Sequence, residues 1–215
     1  MKKNKTEFSN LDSREERHFC AYLFAWFLMD KENIKKYFQN HSKSLFKDIE
    51  KVDFQSCELY YEYTGIRELI YFERHVNKAP KKASKIKQDA EDSIFQNKEG
   101  DVQKKKADFA FYFPSEKMLV LTEAKFEMKY DESQFGETKR YGKFLKKNFP
   151  DAIREVKLSL LGIEYYNNKI DDEASISWED LTRIIDNPAI KKEIIKGLNY
   201  QKTIHKKAMK NWGIQ

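Results

Sequence analysis

Asp108, Glu123 and Lys125 are the residues of this chain whose types and spacing could do chemistry. They lie in the segment ADFAFYFPSEKMLVLTEAKF, two β-rich runs joined by the turn PSEK. Runs of this kind around a short Pro/Ser turn predict a β-hairpin. A turn centred between Ser115 and Glu116 sets Asp108 directly opposite Glu123. Opposed side chains of an antiparallel pair share a face and lie about 5 Å apart at Cβ. Lys125, two residues beyond Glu123, falls on the same face. Two carboxylates held face to face repel unless a positive charge comes between them. A hard divalent cation such as Mg²⁺ suits them, since it takes one or two carboxylates together with waters and phosphate oxygens.

A plainer reading is an ordinary salt bridge among the three. With 35% of residues charged, an E-x-K triplet arises easily by chance. Position sets this one apart. Phe109, Phe111 and Phe113 point to the opposite face with Val120 and Ala124, while Leu119 and Leu121 share the face of the charges. The charges therefore interrupt an apolar surface.

An Asp on one strand and E-x-K on the next, joined by a turn, resembles the signature of the PD-(D/E)xK nucleases. Ala107 stands where that signature usually has Pro. The resemblance implies a restriction-endonuclease-like α/β (α+β) core, a small mixed β-sheet flanked by helices. It implies a metal-dependent nuclease hydrolysing phosphodiester bonds, in DNA more than RNA. Asp108 and Glu123 would hold Mg²⁺ or Mn²⁺, with the Ala124 carbonyl as a further ligand. Lys125 would orient or deprotonate the attacking water. Many members carry a Glu on the first helix that completes the metal shell. Glu16 is favoured here over Glu15, although Glu16 also fits a capping box opened by Ser13. RecB-like members place a Gln and a Tyr on the helix after the hairpin. Here Gln134 and Tyr141 are seven residues apart and share a face, and Thr138 occupies the position that the RecB-like spacing gives to Tyr. Lys139 and Arg140 are candidate phosphate contacts. A catalytically inactive nucleic-acid-binding module on the same fold is the competing expectation, and a homodimer would suit double-strand cutting.

The elements that must carry these residues follow from periodicity. Phe19, Tyr22, Leu23, Trp26 and Phe27 predict an amphipathic helix over about Arg14–Asp30. A second helix is expected over Ile34–Lys51, and a third from Thr64 after an aromatic run that could form a short strand. Between Lys78 and Lys106 the pattern supports a helix over Ala83–Ala90, a short strand at Ser93–Gln96 and otherwise loop, either solvated or facing nucleic acid. A helix over Ser133–Lys147, a strand over Lys157–Tyr166, a short helix capped by Ser177 and a basic helix opened by Pro188 complete the order. Trp178 reads as core, and the lysines of the last helix as a phosphate-facing surface.

Composition bounds the rest. At 215 residues, one domain with added terminal helices is expected. The net charge of +6 is compatible with a polyanionic partner. Cys20 and Cys57 lie far apart with no CxxC pair, which argues against a zinc or iron–sulfur site and suits a reducing cytoplasm. His18, His41, His75 and His205 show no metal-ligand spacing, and no apolar run is long enough to span a membrane.

Overall fold

The structure, a computed structural model, describes residues 15–96, 100–125, 132–163 and 174–211; at 15, 16, 132 and 204–211 it describes the backbone alone. The architecture is mixed α/β. Among the described residues, five strands form one sheet in the order β1 (Glu58–Tyr63), β2 (Ala107–Phe113), β3 (Met118–Ala124), β4 (Glu155–Gly162) and β5 (Ala174–Ser177). Strands β1, β2 and β3 are successively antiparallel. The start of β4 meets β3 at its beginning, Arg154 N donating to Lys117 O at 2.7 Å, and Leu161 O accepts from Lys125 N at 2.7 Å. Both chains advance together between these contacts, so β4 runs parallel to β3. A parallel return needs a crossover, which α5 (Glu132–Asn148) supplies.

The chain divides into two compact units, one of residues 1–49, 124–130 and 160–215, the other of 50–123 and 131–159. In the first, α1 (Glu15–Met29) and α2 (Lys31–Gln39) pack with α6 (Trp178–Ile184) and α7 (Pro188–Asn211). Phe19, Leu23, Trp26 and Phe27 of α1 are buried, as the stripe predicts. A Cβ on Gly197 would come within 2.1 Å of the Phe19 ring, so glycine permits the approach of α7 to α1. Trp26 Nε1 donates to Asp186 Oδ1 at 3.1 Å, and Lys36 Nζ to Oδ2 at 2.9 Å. The Lys36 ammonium holds the Asp186 carboxyl below the usual range.

The second helix ends at Gln39, well before Lys51. The competing bonds are local and tertiary. Ser42 N donates to Ser175 O at 2.7 Å, and Ser44 Oγ bonds both Phe46 N and Phe46 O. Serines that satisfy the backbone this way draw it out of the helix. A short 3₁₀ turn, Ile49–Lys51, is what remains of the expected helical stretch there.

His41, just past α2, stacks on Phe38 and meets Tyr37 edge-on, and its Nδ1 is 3.0 Å from Tyr37 O. Burial lowers its pKa to about 4. The unfolded chain therefore binds this proton first as pH falls, and stability declines from about pH 6.5 towards pH 4. The His41 contribution amounts to about 3 kcal/mol at most. Urea denaturation across that range should show the slope in wild type and a flatter one in His41→Phe.

In the second unit, α3 (Gly65–Tyr71) continues into a π turn, Phe72–Val76, and α4 spans Pro80–Phe95. The expected strand at Ser93–Gln96 is instead the last turn of α4. Its apolar residues Ile94 and Phe95 extend the buried stripe of Ala83 and Ala90, and Gln96, at φ 48°, ends the helix in the left-handed region. The strand expected over Lys157–Tyr166 is found as Glu155–Gly162; its expected last residues lie outside the described ones. Strand β5 was not anticipated. Its four residues, ASIS, are all buried, and two apolar–polar steps before a cap are too short a pattern to mark a strand.

Candidate functional site

The hairpin has the register set by its turn. Phe109 pairs with Thr122, Ala110 with Leu121 and Phe111 with Val120. One step further along the same register, Asp108 faces Glu123. Both sides of the pair are covered, and Glu123 is only 3% exposed, whereas Asp108 is half-buried. Helix α5 lies over the charged face. A Cβ on Gly142 would be 2.6 Å from Val156 Cγ1 and 3.2 Å from Leu121 Cδ1, so glycine lets the helix settle on the sheet. One turn earlier, the Thr138 hydroxyl is 3.1 Å from Glu123 Oε2 and 3.1 Å from Gln134 O. An ionised carboxylate is the stronger acceptor of its proton.

Two further residues join this face. Thr138, at the position that the RecB-like spacing gives to Tyr, is one. Glu62, to which the motif did not point, is the other. Strand β1 pairs Tyr61 with Phe109 and Tyr63 with Ala107, which sets Glu62 level with Asp108 on the side away from Glu123. Glu62 has φ 50°, unusual for a residue with a side chain. Its carboxylate is engaged by the Lys106 ammonium. The aromatic run ELYYEY carried no clear alternation, so the partner of Asp108 in β1 was not legible.

Lys125 directly follows β3, and both of its backbone groups are fixed. Its N–H donates to Leu161 O, and its carbonyl accepts from Trp178 Nε1 at 3.2 Å. Trp178 is fully buried at the start of α6, where Ser177 Oγ accepts from Asp180 N at 2.9 Å as the expected N-cap. Ala124 is the buried last residue of β3.

The accessory residues separate. Helix α1 starts at Glu15, but the side chains of Glu15 and Glu16, and all of Ser13, lie outside the described residues. Tyr141 points into the core, its hydroxyl 3.3 Å from Tyr63 O, and burial raises its phenol pKa above the usual range. Arg140 Nε donates to Ile94 O, tying α5 to the C-terminal end of α4. These two side chains, expected towards substrate, are placed in packing. Gln134 is half-buried one turn before Thr138, and Lys139 is exposed. The lysines before β2 pair with acids of the chain: Lys104, exposed, with Asp101, Lys105, largely buried, with Glu137 at 3.6 Å, and Lys106 with Glu62. On α7, Lys202 pairs with Glu179 and Lys196 with Glu193; the side chains of Lys206, Lys207 and Lys210 lie outside the described residues.

Among the described residues no three His, Cys, Asp or Glu side chains converge tightly enough to hold a metal by themselves. Asp108 and Glu123 offer carboxylate oxygens, the donor type that a Mg²⁺-type ion takes. Such an ion needs one or two carboxylates and completes its shell with water and substrate oxygens. No helix among the described residues is long and apolar enough to cross a membrane. Comparison with protein-family models, curated proteins and solved structures gave no match.

Proposed function

We propose that the chain is a divalent-metal-dependent nuclease that hydrolyses phosphodiester bonds, with DNA its first substrate. The observation that carries this reading is the opposition of Asp108 and Glu123 in register on a covered face, with Lys125 two residues beyond Glu123. A buried carboxylate across from a second one is a poor structural choice and a good cation site. Asp108 and Glu123 would hold the metal, and the Ala124 carbonyl is available at the end of β3. The metal, when bound, lowers the pKa of its water and polarises a phosphoryl oxygen. Thr138 donates to Glu123 and so orients a ligand carboxylate, a supporting role of the kind that tunes metal sites. Lys125 contributes an ammonium for the attacking water or the developing phosphate charge, and the two bonds on its backbone fix where its side chain begins.

A binding module without catalysis is the second reading, favoured by the packed positions of Arg140 and Tyr141. The two separate in one experiment. Linear, circular and single-stranded DNA, and RNA, are incubated with the chain and Mg²⁺ or Mn²⁺, with EDTA as control. The nuclease reading expects cleavage that EDTA abolishes. Salt-sensitive binding without cleavage in either metal would establish the module instead.

A further inference from the structure

The geometry points to a second surface, at the π turn and the N-terminal half of α4, that binds single-stranded nucleic acid by base stacking and phosphate contact. It goes beyond the proposed cleavage site and does not depend on it.

The first observation is apolar. Tyr71 is 58% and Phe72 50% exposed, where α3 passes into the π turn. Ile66 and Ile70 bury the other side of α3, so these two rings are surplus to the core. The turn that presents them is held firmly. Glu73, buried, takes Lys82 Nζ at 2.7 Å from α4. Asn77 N donates to Phe72 O at 3.0 Å, and Ala79 N to Glu73 O at 2.8 Å. The His75 ring lies 4.6 Å from that of Tyr71 and backs it.

The second observation is charge. Arg74, Lys78, Lys81 and Lys85 are exposed around the same turn. None of these four is in an ion pair among the described residues; Glu68 pairs with Arg67 and Glu73 with Lys82. Lys81 and Lys85 line an open hollow of about 440 Å³ with Pro80, Ser84 and Gln88. Exposed aromatic faces on the turn, with exposed cations beside and after it, are what a single strand needs. Each ring takes a base, and the ammonium groups track the phosphates. A duplex hides its base faces, and an acidic peptide has none to offer.

Fluorescence anisotropy of the whole chain with labelled oligo(dT) of about 20 nucleotides, in EDTA, tests this apart from cleavage. Oligo(dT) should bind more tightly than a duplex of equal length. Tyr71→Ala with Phe72→Ala should weaken it at least about 10-fold. Tyr71→Phe should retain it. Lys81→Ala with Lys85→Ala should reduce the salt slope by about 1.4, near 0.7 for each phosphate contact. These positions are exposed, and circular dichroism checks that the variants fold. Unchanged binding without the two rings, equal affinity for the duplex, or equal ring-dependent binding of polyglutamate would each overturn the proposal. Since no metal is present, failure here leaves the nuclease reading standing, and failed cleavage leaves this surface standing.

Discussion

Glu123→Gln should abolish metal-dependent cleavage and, in the absence of metal, leave the chain as stable as wild type or more so. The two effects share a cause. Glu123 is almost wholly buried, and the register sets it against Asp108. Like charges directly opposed across a strand pair destabilise it by up to about 1 kcal/mol, and burial adds to that. The amide keeps the shape, and its oxygen still accepts from Thr138. For a chain of this size, about 1 kcal/mol corresponds to a rise of roughly 2–4 °C in Tm. Activity moves the other way. Supporting residues of metal sites are worth about 10–100-fold, so loss of a direct ligand should exceed about 100-fold. Mg²⁺ added to wild type should raise its Tm by binding the folded state alone, and the increment should vanish in the variant. Calorimetry with and without Mg²⁺, beside a cleavage assay, reads all three. Lys125→Ala separates the roles: it should lose cleavage to a similar degree and keep the Mg²⁺ increment. A Glu123→Gln chain that cuts normally, or a Lys125→Ala chain that does, would remove this site from consideration.

The hairpin was readable from sequence because its information is local. A turn of fixed length sets the pairing, and period-two burial fixes the faces, so the Asp108–Glu123 opposition needed nothing distant. Helix α1 and the Ser177 cap were legible for the same reason. What escaped depended on distant chain. Thr138 stood at the RecB-like Tyr position, but its reach to Glu123 depends on Gly142 letting α5 settle on Leu121 and Val156, which neither residue signals by itself. Glu62 reaches the level of Asp108 through the β1–β2 register, in a strand whose six residues are all aromatic, acidic or Leu. Helix α2 was overextended because its stop lies in a hydrogen bond from Ser42 to Ser175. The charged stretch before β2 was misjudged as mostly loop, since its helix is long in lysine and short in apolar residues, yet Ala83, Ala90 and Ile94 suffice to bury one face. Lys105 and Lys106 then prove to be structural cations, and the unmatched ones lie earlier, from Arg74 to Lys85.

Trp178→Ala should destabilise the chain by about 3–5 kcal/mol. Its ring is fully buried between the cap at Ser177 and the packing of α6. The loss would have two parts. One is the cavity. The other is the part-buried Lys125 carbonyl, which would lose its indole donor, at a cost of up to about 1–2 kcal/mol. Trp178→Phe divides them, since it keeps most of the ring and removes the N–H. It should destabilise by only about 1–2 kcal/mol, measured by urea denaturation. If Lys125 acts on the attacking water, the same variant should lower kcat about 10-fold with KM little changed, because a shifted backbone carries the ammonium out of line. A purely structural tryptophan would lower stability and leave kcat per folded molecule alone. The same split assigns the bond: an unaltered kcat in Trp178→Phe, with Lys125→Ala inactive, would mean that the bond from Leu161 suffices to place the lysine.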